Sequence, residues 1–362
     1  MSHFAAIYHV RADARSIVAR ARAIAVEQSV EMPLSAIEDT RILDEIVGKV
    51  EDIADIGGGT FAVRVALSAE TIGADPGQLI NMLFGNTSLQ DDVVLHDADI
   101  PERLVRDWGG PHSGLAGLRE RAGAKDRALT CSALKPQGLA SNKLAELAAR
   151  FARGGIDYIK DDHGLADQTY SPFAKRCGVI TAALRQSGAP ARYVPSLSGD
   201  LDASRNQMKA AKQNGIDTVM AQPMIMGLSN FSKLVRENPD VAFFAHPTLA
   251  GASRISPQFL FGKVFRTLGA DALVFPNHGG RFGYSPQICQ DIAETGLGDW
   301  HGLKPAVPVP AGGMTIERVP EMLDFYGSRV MLLIGGALLE ARERLTQETT
   351  AFVETVKGHR YG

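Results

Sequence analysis

From about residue 127 onward the chain repeats one unit eight times, a short apolar stretch with strand character followed by a helical stretch. Eight such units over about 235 residues predict a (β/α)8 TIM barrel. An open doubly wound sheet is the alternative, but it would more often carry a glycine-rich phosphate turn after its first strand. The strand candidates are residues 128–136, 157–162, 191–198, 217–222, 241–247, 272–276, 306–310 and 330–334. The helical stretches are 142–152, 171–186, 202–214, 230–237, 256–268, 286–294, 316–326 and 338–356.

The residues before the barrel have a different pattern. Strand-like stretches at 4–10 and 60–67 and helical stretches at 12–26 and 75–84 predict a small α+β domain on an antiparallel sheet. A segment rich in glycine, at 107–117, is the expected passage between domains. We therefore expect an N-terminal α+β domain over residues 1–115 and a catalytic barrel over residues 116–362.

Composition excludes several classes of function. The chain has 362 residues, of which 45% are hydrophobic, and a formal net charge of −3, which argues against binding to nucleic acid or to a membrane surface. Its three cysteines are far apart and lack the spacing of a metal site. The sequence has neither a signal-peptide pattern nor an apolar run long enough to span a membrane. We expect a cytoplasmic protein.

The second predicted strand ends in four consecutive ionisable residues, Lys160, Asp161, Asp162 and His163. Strand alternation would place Lys160 and Asp162 on one face and Asp161 and His163 on the other. A lysine beside a carboxylate at a barrel mouth is a candidate site for metal binding and proton transfer. A solvated strand end with a local ion pair is the alternative.

Polar residues and glycine pairs follow several other predicted strands. Barrel enzymes place their chemistry at the carboxyl ends of the strands, where this sequence has Lys135 and His246. Pairs of glycines end the last two strands, and such pairs expose backbone N–H groups and permit positive φ, although glycine also simply makes turns. The loops after strands seven and eight commonly bind phosphate in this fold, which favours a phosphate site at Gly312, Gly313, Gly335 and Gly336.

These motifs resemble the large chain of RuBisCO, and more closely its non-carboxylating relatives, the RuBisCO-like proteins. The resemblance implies that Lys160 is carbamylated by CO2 and binds Mg2+ together with Asp162. His163, the candidate third ligand, stands where the family usually has glutamate, and an imidazole suits Mg2+ less well than a carboxylate. The resemblance also implies that Lys135 moves protons to and from an enolate and that His246 is the strand-five catalytic histidine.

The N-terminal segments containing Glu27 and Asn86 resemble those that reach into a partner subunit's active site, which implies an obligate homodimer with shared sites.

The loop at 277–284 lacks the lysine that carboxylases place over bound CO2. This loop carries Arg281, which could meet a substrate phosphate or only a neighbouring carboxylate. The resemblance therefore implies an enzyme that is not a carboxylase.

The reaction implied by the resemblance is enolisation of a phosphorylated ketose. Reprotonation at another carbon would give 5-methylthioribulose-1-phosphate isomerase, a Mg2+-dependent enzyme of methylthioadenosine and sulfur salvage, which is our first expectation. The alternatives are 3-oxo-isoapionate-4-phosphate decarboxylase in apionate catabolism, 2,3-diketo-5-methylthiopentyl-1-phosphate enolase, and a non-catalytic binding protein.

Overall fold

The computed structural model describes residues 3–361. The chain divides into two compact units, one formed by Met1–Trp108 with Leu249–Leu260 and the other by Gly109–Thr248 with Phe261–Gly362. The inclusion of Leu249–Leu260 in the first unit was not predicted. The domain boundary after residue 115 stays a prediction, because compactness alone does not show which part folds independently.

The first unit contains a four-stranded antiparallel sheet in the order β2-β3-β1-β4. Its segment Leu249–Leu260 hydrogen-bonds to β4, since Leu95 donates to the carbonyl of Arg254 at 2.9 Å and accepts from Ser256 at 2.9 Å. The strands are β1 His3–Arg11, β2 Lys49–Gly57, β3 Thr60–Ser68 and β4 Val93–Ala98, and the helices are α1 Ile17–Glu27, α2 Pro76–Phe84 and α3 Glu102–Trp108.

The predicted antiparallel sheet is confirmed, but it has four strands where the sequence indicated two. β2 was missed because most of its side chains are exposed and several are charged, as expected of an edge strand. The helix predicted from residue 12 begins at Ile17. The stretch at 107–117 is not a simple passage, because it contains the end of α3 and the start of the next helix.

The second unit contains eight parallel strands; seven lie within a stretch predicted from the sequence, and β11 extends one residue beyond its predicted stretch, to Ala311. Two four-stranded sheets, β12-β5-β6-β7 and β8-β9-β10-β11, are joined by a bridge between Ser196 and Met220. β11 and β12 lie side by side and complete the ring, so the barrel is confirmed. The strands are β5 Leu129–Leu134, β6 Tyr158–Asp161, β7 Arg192–Val194, β8 Thr218–Ala221, β9 Ala242–Ala245, β10 Ala272–Pro276, β11 Val307–Ala311 and β12 Met331–Leu333.

The barrel helices follow the predicted alternation with three differences, and one helix that was not predicted, α4, precedes the first barrel strand. A short extra helix follows β8, the stretch after β9 is a π-helix at Gln258–Phe265, and the last predicted helix is two helices separated near Arg342, whose φ is 47°. The helices are α4 Gly114–Ala122, α5 Ser141–Arg153, α6 Phe173–Ser187, α7 Leu201–Gln213, α8 Pro223–Met226, α9 Leu228–Arg236, α10 Pro286–Leu297, α11 Val319–Tyr326, α12 Gly336–Glu340 and α13 Leu345–Gly358.

Helix α4 packs into the core at the amino end of the barrel strands. Leu115 and Leu118 join the inward-facing side chains there, and the Tyr158 hydroxyl donates to the Leu118 carbonyl at 2.7 Å. The buried Asp271 carboxylate accepts from the N–H groups of Ser113 at 2.7 Å and Gly114 at 2.6 Å, which satisfies two free donors at the start of the helix. The amino end of the barrel is therefore filled, and the polar strand ends lie at the opposite end. Within residues 3–361, no helix is both long and apolar enough to cross a membrane.

Candidate active site

Lys160 lies on the inner face of β6, on the same side as Tyr158, and its side chain is buried. Its Nζ donates to the carbonyl of Asp161 at 2.7 Å. Burial lowers the pKa of Lys160, because removing an ammonium from water favours its uncharged form. An uncharged amine is the form that reacts with CO2, so the direction of this shift favours carbamylation of Lys160, which stays a prediction.

Asp162 follows directly and lies close to two other polar side chains. Its carboxylate forms an ion pair with Lys135 and accepts from Gln137 Nε2 at 3.2 Å and from the N–H of Gly164 at 3.1 Å. Burial opposes ionisation, but the hydrogen bonds from Lys135 and Gly164 outweigh it and hold the pKa of Asp162 well below its usual range. Asp162 is therefore an anion, and Lys135, whose side chain is 38% exposed, lies beside it with access to solvent.

His163 is on the same side of the strand as Asp162, so the prediction that it shares a face with Asp161 is wrong. β6 ends at Asp161 and the chain turns, with Leu165 donating to the Asp162 carbonyl at 3.0 Å, so alternation no longer applies. The His163 ring stacks on His246 with centroids 4.7 Å apart, and its Nδ1 lies 3.5 Å from Asp162 Oδ1. Burial lowers the pKa of His163 although Asp162 opposes this.

His246 follows β9, and its ring Nδ1 lies 2.6 Å from Thr248 Oγ1. Burial, followed by the charge of Lys160, lowers the pKa of His246 to about 2, so the imidazole is neutral near pH 7. The structure thus brings Lys135, Lys160 and His246 together around Asp162. This was predicted, because all three follow barrel strands and the carboxyl ends of these strands lie at the same end of the barrel.

Asp161 points away from this cluster, as alternation predicted. It lies on the outer face of β6 and is fully buried against Arg176 and Tyr193. Neither partner was singled out from the sequence, because they lie 15 and 32 residues further along the chain and on other elements. An aspartate on the outer, buried face of a barrel strand was the available signal that a basic partner had to exist.

The donor atoms fit a magnesium ion only on one condition. Within residues 3–361, no three His, Cys, Asp or Glu side chains form a group that could hold a metal ion. Asp162 offers carboxylate oxygen and His163 a ring nitrogen, whereas an unmodified Lys160 offers no oxygen. A carbamate on Lys160 would add two oxygen donors of the kind that Mg2+ prefers. The set Lys160, Asp162 and His163 therefore fits Mg2+ after carbamylation and stays a prediction.

The two glycine pairs differ in conformation. Gly312 and Gly313 have φ of 85° and 82°, which favours glycine, whereas Gly335 has φ of −106° and precedes α12. The expectation of positive φ is thus confirmed only for the first pair. A Cβ at Gly335 or Gly336 would meet nothing within 4 Å, so both border open space. In the described part of the chain, the N–H groups of Gly312, Gly313 and Gly335 have no hydrogen-bond acceptor, which suits an anion.

Arg281 lies in the loop after β10. Its guanidinium lies 5.4 Å from the centroid of the Phe282 ring, and after burial its charge is among the causes that lower the pKa of His163. Among residues 3–361, no carboxylate forms an ion pair with Arg281. The alternative that it meets only a neighbouring carboxylate is therefore not supported, and a substrate phosphate stays the prediction.

Glu27 and Asn86 lie in the first unit and contact each other. Asn86 Nδ2 donates to Glu27 Oε1 at 3.0 Å and to Glu31 Oε1 at 2.7 Å. Glu31, which the sequence did not single out, has φ of 53°. The first unit thus presents two carboxylates held by one amide, and the role of Glu27 and Asn86 in a partner's active site stays a prediction.

Comparison with known proteins identifies the family. The sequence model of the ribulose bisphosphate carboxylase large chain, catalytic domain, matches residues 114–284. A 5-methylthioribulose-1-phosphate isomerase of Rhodospirillum rubrum is 62% identical over 358 residues, which cover 98% of this chain and 96% of that protein. The chain belongs to the RuBisCO large-chain family.

Two further relatives place it among the RuBisCO-like proteins. The crystal structure of a Rubisco-like protein from Rhodopseudomonas palustris is 46% identical, covers 99% of both chains and superposes with a TM-score of 0.93. A 2,3-diketo-5-methylthiopentyl-1-phosphate enolase of Geobacillus thermodenitrificans is 31% identical over 76% of this chain and 70% of that protein. The resemblance noted in the sequence and the fold that it implied, a barrel after a small domain, are confirmed, and the chain is an enzyme of the RuBisCO-like family.

Proposed function

We propose that this enzyme is a 5-methylthioribulose-1-phosphate isomerase that acts in methylthioadenosine salvage. The observation that carries the proposal is the 62% identity to the Rhodospirillum rubrum isomerase along nearly the whole length of both chains. The Geobacillus enolase is only 31% identical to this chain, and its alignment covers 76% of it. The substrate is accordingly a phosphorylated ketose, and the reaction moves a proton between its carbons.

Lys135 is our proposed proton-transfer residue. An amine takes the proton from the carbon beside the carbonyl, the C–H electron pair becomes the new C=C bond, and the carbonyl oxygen becomes an enediolate oxygen. The same proton equivalent then returns to a different carbon, so that the product is an isomer. Lys135 suits this role because its Nζ lies at the site beside Asp162 and its side chain is partly open to solvent, to which it can first give up the proton that it holds in the ion pair. The neutral His246 nearby is a second group that could hold a proton at a carbonyl oxygen.

Lys160, as its carbamate, with Asp162 and His163 is our proposed magnesium-binding set. Mg2+ bound there would polarise the substrate carbonyl and stabilise the negative charge of the enediolate. The lowered pKa of Lys160 and the anionic state of Asp162 support this assignment.

The substrate phosphate is proposed to bind the N–H groups of Gly312, Gly313, Gly335 and Gly336, with Arg281 as an additional cation. The turns that contain these glycines end the neighbouring strands β11 and β12, so their donors can converge on one anion.

We further propose that the enzyme is a cytoplasmic homodimer in which Glu27 and Asn86 of one subunit contribute to the active site of the other. The α+β domain over residues 1–115 would then supply these side chains, and the barrel over residues 116–362 would supply the rest. The contact between Asn86 and Glu27 supports a common role for the two residues.

A substrate comparison tests the proposal. The purified protein, with Mg2+ and bicarbonate, is given 5-methylthioribulose-1-phosphate, 2,3-diketo-5-methylthiopentyl-1-phosphate and 3-oxo-isoapionate-4-phosphate in separate reactions followed by NMR. We expect isomerisation of the first compound and at most slow turnover of the others. Faster conversion of the diketone would identify an enolase, release of CO2 from the third would identify a decarboxylase, and tight binding without any turnover would identify a binding protein.

A further inference from the structure

We propose that Asp161, Arg176 and Tyr193, which lie on the outer face of the barrel, are positioning residues that hold the end of β6 and thereby set the placement of Lys160 and Asp162. The inference rests on the proposed function in so far as Lys160 is taken to carry the carbamate. None of the three side chains touches the candidate site, so any effect on it must pass through the backbone of β6.

Both oxygens of Asp161 are occupied by donors from different elements. Oδ1 accepts from the Tyr193 hydroxyl of β7 at 2.7 Å, and Oδ2 accepts from Arg176 Nε of α6 at 3.1 Å and from the Ser196 N–H at 3.1 Å. The side chains of Asp161 and Arg176 are each 0% exposed. The orientation of the Asp161 side chain is therefore fixed by three donors at once.

Arg176 extends the same network to the loop that follows the metal-binding motif. Nη1 donates to the Ser171 carbonyl at 2.6 Å, and Nη2 donates to the Ala166 carbonyl at 2.9 Å. Both carbonyls lie between the end of β6 and the start of α6. The Arg176 guanidinium thus connects the end of β6, the loop after it and helix α6, and its hydrogen bonds hold these three segments together.

The position of Asp161 in the chain explains how this network can affect the site. It stands between Lys160 and Asp162, which lie on the opposite side of the backbone, so a rotation of the strand at Asp161 would move both residues. Stability alone does not demand such a network, because well-packed apolar residues often replace a buried ion pair without loss. A requirement for exact placement of Lys160 and Asp162 accounts for a buried charged network here.

Two tyrosines provide a matched test. Tyr193 and Tyr158 are 4% and 0% exposed, and each hydroxyl donates one hydrogen bond of 2.7 Å, Tyr193 to Asp161 and Tyr158 to the Leu118 carbonyl of α4. The Tyr193 hydroxyl also accepts from Arg176 Nε at 3.3 Å, within the same network. Tyr193→Phe and Tyr158→Phe therefore remove the same group at similar burial. Asp161→Asn is less informative, because it leaves a buried arginine without its counter-charge and risks unfolding.

The experiment measures carbamate formation and metal binding on the full-length protein. A 13C NMR signal after addition of 13C-labelled bicarbonate reports the carbamate on Lys160, with Lys160→Ala as the blank, and Mg2+ titration reports the apparent dissociation constant. We expect Tyr193→Phe to raise that constant about threefold to tenfold and to lower the carbamate signal, whereas Tyr158→Phe lowers only the Tm. Restoration of the carbamate signal in Tyr193→Phe by higher bicarbonate would support displacement of Lys160 and not loss of the fold.

Two results would overturn the inference. If both variants lose similar Tm and keep wild-type carbamate and Mg2+ binding, the network is only structural. If the wild-type protein forms no carbamate, the basis of the inference is removed. Neither measurement uses the sugar phosphate, so a failure of the proposed isomerase activity would be recognised separately by the substrate comparison.

Discussion

Replacement of Gly280 by alanine is expected to disturb the phosphate site without changing any side chain in it. Gly280 lies in the loop after β10, and a Cβ there would lie 1.9 Å from the carbonyl oxygen of Gly312 and 3.1 Å from its carbonyl carbon. From the other side, a Cβ on Gly313 would lie 2.7 Å from the Gly280 Cα. The two loops thus touch backbone to backbone, and only glycines permit this approach.

The size of the effect follows from this geometry. Carbon and oxygen atoms in ordinary contact are about 3.5 Å apart, so the loops must separate by about 1.5 Å. Overpacking of this kind costs about 1–3 kcal/mol of stability. If the shift removes one hydrogen bond to a phosphate, worth about 1.5–3 kcal/mol, KM should rise about tenfold to a hundredfold.

Gly283→Ala is the matched control. It lies in the same loop, and a Cβ there would meet nothing within 4 Å. The assay compares Tm and steady-state kinetics of the two variants, and we expect Gly283→Ala to stay within about 0.5 kcal/mol of wild type. A lowered Tm with unchanged KM in Gly280→Ala would place the phosphate elsewhere, and identical behaviour of the two variants would refute the reasoning from the contact.

Gly335→Val should weaken substrate binding at least about tenfold in a calorimetric titration while the Tm stays near wild type, because the side chain would project into open space beside the phosphate donors; unchanged affinity would contradict this. Mixed subunits of Glu27→Gln and Lys160→Ala should regain part of the activity that each variant lacks, and no recovery despite confirmed subunit exchange would count against shared sites. Labelled CO2 should not enter the product of the wild-type enzyme, because the loop after β10 has no lysine, and incorporation would show carboxylation.

The barrel could be predicted from the sequence because its strands are buried on both faces. Such strands appear as short apolar runs, and β6 and β8 each lie within a predicted stretch. β2 gave no such signal, since Lys49–Gly57 is largely exposed at the edge of its sheet. Periodicity detects burial, and an exposed edge strand has little burial to detect.

Part of the site could be predicted from the order of the strands alone. Topology places Lys135, Lys160 and His246 at one end of the barrel, and this required only the order of strands. The face of His163 was predicted wrongly because alternation was extended past the last residue of the strand. The partners of Asp161 depend on which helix packs behind β6, and local sequence does not contain that information.

Exchange of the substrate's α-proton with deuterated water tests the central claim, that the barrel-end site performs enolisation through Lys135. Lys143→Met is the matched control, because Lys143 lies on α5, its side chain is exposed, and its Nζ forms an ion pair of 2.9 Å with Glu146 and not with a residue of the site. We predict wild-type exchange in Lys143→Met, and in Lys135→Met a loss of exchange of about a hundredfold or more with nearly unchanged substrate binding. Full exchange in Lys135→Met would contradict the account and would assign the proton transfer to Lys160 or His246.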